Sequence, residues 1–251
     1  MGLFDFLNKK KPGDSTAAPP PKRASVKDMN RLGKLAGDKM AQNYDRQEAI
    51  EELSKMKTGD AAAALLRRFS FTMEPSITDQ EEKEAAAEGI VAAGESAIDP
   101  IRRYCARAES LTWALKVLRR IVGDEKMAQE LLELLAEFDT EYLRNPEPKI
   151  QLISVLEEHR SDEVRLGVEP FLTDANETVR FHAVATTFAM NDEKSVGPLI
   201  AALEQEESLR IRNRIATGVS ERKWKIPPEL VEKCRAALPE GFSFDGDLIR
   251  V

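Results

Sequence analysis

The stretch Val168-Glu169-Pro170-Phe171-Leu172-Thr173-Asp174, followed by Val179-Arg180, Val196-Gly197-Pro198-Leu199 and Leu209-Arg210, carries the strongest fold signal in the chain. Twice within it an aliphatic residue, a variable residue, a proline and more apolar residues lead through an acidic turn into an apolar-Arg pair. The same opening phrase stands earlier as Ile98-Asp99-Pro100-Ile101. Its prolines lie 70 and 28 residues apart, the larger step being two periods of 35. A helical phrase recurring every ~30–35 residues predicts a repeat array, which buries a core only by stacking neighbouring units. The expected fold is all-α, an α-solenoid of about five to six antiparallel helix pairs.

Working outward, six pairs are predicted: 41–56 with 60–71, 79–93 with 96–108, 110–122 with 125–138, 147–158 with 162–172, 176–190 with 194–205, and 208–221 with 228–237. The separators are Gly59-Asp60, Gly94, Gly123-Asp124, Ser161-Asp162, Asn191-Asp192 and Ile226-Pro227-Pro228. Glycine closes a helix because it tolerates positive φ, and Asp or Asn opens the next by accepting a free backbone N–H. Val196, Leu199, Ile200 and Leu203 fall at i, i+3, i+4 and i+7, one stripe of an α-helix. Leu111, Leu115, Leu118 and Val122 form another, and Trp113, Val117 and Ile121 make that helix apolar on a second face, as burial between neighbours requires. Strand signals are confined to 241–251, where Asp245-Gly246 fits a small hairpin and an extended tail across the last helices is the alternative.

Charge is unevenly placed. The chain of 251 residues has net charge −7 and 32% charged residues. Residues 1–39 hold nine Lys/Arg against four Asp/Glu, an excess of five positive charges, so the remainder carries about −12. An acidic body argues against nucleic acid, which wants a broad basic face. Cys105 and Cys234 sit far apart in helical patterns and read as buried thiols rather than a staple or a zinc site. No apolar run reaches ~18 residues and no signal-peptide core precedes the body, so the expected location is cytoplasmic and the style bacterial.

Four zones follow: 1–11, a short apolar and basic peptide; 12–26, a Pro-rich linker expected to be flexible; 27–240, the helical array; and 241–251, the tail or hairpin. Leu3, Phe4, Phe6 and Leu7 place four large apolar groups on a segment with no core to join, just before Lys9-Lys10-Lys11. Such a segment is a candidate docking motif for a protein, or for peripheral contact at the inner membrane.

Residues 161–222 resemble HEAT repeats, in particular the short bacterial type also found in bilin lyases. The matching positions are Leu172, Asp174, Val179, Arg180 and Ala183, then Pro198-Leu199, Leu203, Leu209, Arg210 and Ala216. The resemblance implies a HEAT-like superhelix used for protein–protein interaction. It also implies that Asp174 and Arg180 are structural residues linking adjacent repeats, with Arg210 in the second Arg slot and Glu204 or Glu207 near its acidic one.

No catalytic constellation is visible. His159 lies at a helix end and His182 reads as a packing residue; no Ser or Cys has an activating neighbour, and no phosphate loop occurs. Arg210 and Arg214 share a helix face, and Arg222, Lys223, Trp224 and Lys225 follow, a second candidate partner-binding patch in which a Trp can stack on a ligand or tuck into the core. The chain is therefore expected to be a non-enzymatic interaction scaffold or adaptor. No cofactor or metal is implied, and nucleic acid and small molecules are not expected as partners. The alternatives are a DNA-binding HEAT-like protein resembling alkylpurine DNA glycosylases, and a bilin lyase-type chaperone subunit.

Overall fold

A computed structural model describes residues 26–250. Among them 13 α-helices and almost no strand are present, an all-α fold that is 72% helix. The first seven are α1 Val26–Ala36, α2 Asn43–Met56, α3 Gly59–Leu65, α4 Ser76–Ala92, α5 Ile98–Cys105, α6 Thr112–Val122 and α7 Asp124–Leu135. The other six are α8 Glu147–Leu156, α9 Asp162–Val168, α10 Glu177–Met190, α11 Val196–Gln205, α12 Leu209–Arg222 and α13 Val231–Ala237.

The proline phrases act as helix punctuation. Pro100 and Pro198 lie in the first turns of α5 and α11, where a missing N–H costs nothing because that donor has no helical partner. Pro170 instead falls just after α9, and the chain tightens there into a 3-10 turn over Glu169–Thr173. Thr58, Ser161 and Asn176 cap α3, α9 and α10 by accepting backbone N–H groups. The left-handed residues that close α2, α10 and α12 are Lys57, Asn191 and Lys223, so lysines end α2 and α12 just ahead of the expected separators Gly59-Asp60 and Ile226-Pro227-Pro228. Helix α1 lies ahead of the six predicted pairs and packs on α2 and α3.

Each helix tends to pack on the one two places further along. Thus α2 meets α4 and α4 meets α6, while α8 meets α10 and α10 meets α12. In the other series α3 meets α5, α7 meets α9 and α11 meets α13. One continuous apolar core runs from Leu32 to Ile249 through both series. The junction between α6 and α8 is polar: the Gln151 amide donates to Thr112 Oγ1 at 3.2 Å, Asn145 donates to the Glu109 carbonyl at 2.9 Å, and Arg119 pairs with Glu158 at 2.8 Å.

Buried ionic groups tie successive turns together. Lys149, on the first turn of α8, donates to the Glu141 carbonyl at 3.0 Å behind it and to the Asp174 carboxylate at 2.7 Å ahead. Arg180, on the first turn of α10, donates to the Asp174 carbonyl at 2.9 Å and to both Glu206 oxygens at 2.7 and 2.9 Å. Arg212, on the first turn of α12, reaches the Ala237 carbonyl at 2.8 Å. Asp174 and Glu206 also accept the N–H two residues on, from Asn176 and Ser208, each at 2.8 Å. The Asp174 and Arg180 side chains are therefore not partners of one another; each binds a different unit. The residue equivalent to Arg180 is Arg212, not Arg210, and its acidic position is Glu206 rather than Glu204 or Glu207.

The end of the chain forms the hairpin rather than the tail. Strands β1 Ser243–Asp245 and β2 Leu248–Arg250 are antiparallel, with Phe244 opposite Ile249. The two-residue turn begins with Gly246 at φ +66°, which an L side chain resists. Ile249 is buried, and the Ser220 hydroxyl donates to its carbonyl at 2.9 Å, docking the hairpin on α12.

Candidate functional site

Helix α12 buries Ile211, Ile215, Gly218 and Val219 and turns Arg210, Asn213, Arg214, Thr217 and Glu221 the other way, at i, i+3, i+4, i+7 and i+11. Phe181, Ala185, Phe188 and Ala189 of α10 face them. Together with Glu157 and Arg222 these residues line a groove of about 580 Å³ between the two helices. Small residues make the groove: Ala185 and Ala189 leave its floor open. Any Cβ at Gly218 would collide with the Phe188 ring, so the helices approach closely only because that residue is glycine.

The groove concentrates guanidinium groups on aromatic faces. Arg210 and Arg214 lie 3.8 and 4.6 Å from the Phe181 centroid, and Arg222 lies 4.7 Å from that of Phe188. Each contact contributes about 0.5–1 kcal/mol at an exposed site and holds the cation in place without neutralising it. Among the described residues none of the three arginines forms an ion pair; Arg222 donates only to the carbonyls of Gly218 and Phe188, at 3.2 and 3.1 Å. Beside the groove, His182 Nδ1 and Ser154 Oγ share a 2.9 Å hydrogen bond. Burial pushes the His182 pKa down; Glu157 works against this, and the positive charges of Arg210 and Arg214 add to the lowering. The arrangement can hold an anion.

The structure thus divides the patch that the sequence suggested. Arg210, Arg214 and Arg222 come together. Trp224 is buried and packs on Phe188 with ring centroids 5.7 Å apart, so its indole belongs to the core. Lys223 is the left-handed residue closing α12, and Lys225 points to Asp247 at 3.4 Å. Phe181 and Phe188, seven residues apart on one face of α10, were absent from the sequence-derived site. The signal was their spacing, but α10 is apolar almost all round and its aromatics read as core. Leu3, Phe4, Phe6 and Leu7 lie outside the described residues.

Other charged groups are consumed internally. Arg102 pairs with Glu130 and Glu133, Arg119 with Asp124 and Glu158, and Arg120 with Glu88. A buried cluster missed in the sequence joins the N-terminal helices: Glu82 takes Arg46 at 3.0 Å and Arg68 at 2.6 Å, while Asp79 takes Arg68 and Lys83, each at 2.7 Å. Burial works to raise the Asp79 pKa, but the hydrogen bonds from Lys83 and Arg68 outweigh it and hold the carboxyl below its ordinary value. Both cysteines are buried, which pushes the thiol of Cys105 up to about 12 and that of Cys234 up to about 11. Among the described residues no cluster of His, Cys, Asp and Glu is arranged to hold a metal, and no helix is long and apolar enough to cross a membrane.

No protein-family model and no curated protein matches this chain. A solved chain from "Computational Design of Self-Assembling Cyclic Protein Homooligomers" is similar at 14% identity, over 84% of this chain and 87% of that one, with a TM-score of 0.17. A likeness at that TM-score carries no argument about fold or function.

Proposed function

We propose that this protein is a non-enzymatic interaction scaffold, an α-solenoid of the HEAT-like kind whose α10/α12 groove receives a protein partner. Arg210 and Arg214 held over Phe181 with no carboxylate ion-paired to them carry the proposal, because a groove that keeps guanidinium groups out of ion pairs is suited to an anionic group. Packing of most helices on the next but one supports the solenoid, and the Lys149–Asp174 and Arg180–Glu206 links tie α8 to the turn ahead of α10 and α10 to the end of α11. The test is affinity capture from the native cell extract with the intact chain and with Arg210→Ala/Arg214→Ala. Proteins kept by the intact chain and lost from the double variant, with the helical fold retained, are the expected result. An identical captured set would overturn the assignment of the groove.

The N-terminal peptide is proposed as a second, recruiting contact. Phe4→Ser/Phe6→Ser should weaken recruitment to a partner or membrane by about 1.5–3 kcal/mol for each ring that becomes fully buried, with folding unchanged. A double variant that melts lower yet localises normally would assign the peptide to the fold.

A further inference from the structure

We infer that the occupant of the α10/α12 groove is an extended acidic peptide segment, with one carboxylate held by the Arg210 and Arg214 guanidinium groups over Phe181. This rests on the groove being the partner site and goes on to name the chemistry it takes. Three observations select that ligand: the charge balance of the lining, the two polar side chains on its wall, and its length.

Arg210, Arg214 and Arg222 face Glu157 and Glu221, so the lining retains one uncompensated positive charge. A single carboxylate matches it. A phosphate dianion overfills it, and a nucleic-acid strand brings further phosphates against the two glutamates and an otherwise acidic body. Guanidinium forks bind carboxylates in two parallel N–H···O contacts, and Arg210 and Arg214 lie one helical turn apart, both positioned by the same ring.

Asn213 and Thr217 project into the groove one turn apart, and among the described residues neither side chain has a hydrogen-bond partner. Amide and hydroxyl groups so placed suit a ligand with free main-chain N–H and C=O groups. An extended segment has them, whereas the backbone of a helix satisfies its own. Ala185 and Ala189 permit close approach of that backbone. From Arg210 to Arg222 the wall runs about 18 Å at 1.5 Å per residue. An extended chain rising about 3.3 Å per residue covers that length in five or six residues.

The test is selection of a randomised 12-residue peptide library, displayed on phage, against the intact chain. Binders with Asp or Glu at one fixed position inside a conserved window of five or six residues are expected. Replacing that residue by Asn or Gln in the synthetic peptide should weaken binding at least tenfold, and Arg210→Ala/Arg214→Ala should abolish the difference. Asn213→Ala/Thr217→Ala should weaken the acidic and amide peptides alike. The inference is overturned if no peptide is enriched, if conserved positions recur at helical spacing, or if the double arginine variant keeps the acidic preference. It is equally overturned if a phosphoserine version, or a 12-nucleotide single-stranded DNA, binds more than tenfold tighter than the acidic peptide. Capture that depends on Arg210 and Arg214 alongside any of these results would leave the groove as the partner site and remove only the ligand assignment.

Discussion

Two junctions of the same helix series treat charge in opposite ways. Between α4 and α6, Glu84 faces Lys116 at 3.9 Å and Glu88 pairs with Arg120 at 2.9 Å, so the cations are answered within the fold. Between α10 and α12, Arg210, Arg214 and Arg222 rest on the rings of Phe181 and Phe188 and form no ion pair among the described residues. Aromatic faces hold a guanidinium while leaving its donors free, whereas a carboxylate occupies them. One junction pairs its cations across the helices, and the other holds them in a groove free of ion pairs among the described residues.

The largest expected effect tests whether the N-terminal half is structural. Glu82 is the common acceptor of two buried arginines, so Glu82→Gln should destabilise the chain by about 3–5 kcal/mol, the usual result of stripping one partner from a buried ion pair. Urea unfolding checks it; a shift below about 1 kcal/mol would mean that the cluster is not what holds α2 and α4 together. Next comes Arg180→Ala, expected to cost about 1–3 kcal/mol by leaving Glu206 buried without its cation. The same pair sets a pH dependence. Burial works to raise the Glu206 pKa, but the hydrogen bonds from Arg180 and the Ser208 N–H prevail and lower it. A carboxyl depressed in the folded state contributes stability at neutral pH, and this is lost as pH falls below its unfolded value and through the folded one. Arg180→Ala should therefore flatten stability against pH on the acid side.

Smaller effects separate the two junctions. Arg120→Ala should shift the melting temperature little, since surface charges contribute little, and Arg210→Ala/Arg214→Ala should cost no more than the stability of its two ring contacts, about 1–2 kcal/mol. Only the second should change partner capture. Loss of capture on Arg120→Ala would erase the contrast. Smallest is the His182 titration, read by NMR. Its pKa lies below the ordinary imidazole value through burial and the nearby arginines, so the neutral form dominates at pH 7. Removing Arg210 and Arg214 should move it upward, and an unmoved titration would place the guanidinium groups away from α10.

Much of the helical framework was legible, because apolar stripes and capping residues act locally. Asn176, Ser161 and Asn191-Asp192 did at helix ends what their short side chains allow. Phase was harder to read. Leu209-Arg210 imitates Val179-Arg180, yet Ile211-Arg212 occupies the matching turn, and the six-residue step from Asp174 to Arg180 recurs from Glu206 to Arg212. The groove was half legible: exposed arginines at i and i+4 announce a face, but nothing local reveals that Phe181 and Phe188 form the opposite wall. The cluster at Glu82 was invisible, since Arg46, Arg68 and Glu82 sit on ordinary polar positions and meet only when α2, α4 and the turn after α3 pack.

Site-specific photo-crosslinking in the native cell extract tests the contrast most directly, with the reactive group at Thr217 in the α10/α12 groove or at Lys116 on the α4/α6 junction. The account predicts discrete protein adducts from Thr217, lost on Arg210→Ala/Arg214→Ala, and none that depend on those arginines from Lys116. Equal adducts from both positions, or Thr217 adducts that survive the double variant, would contradict it.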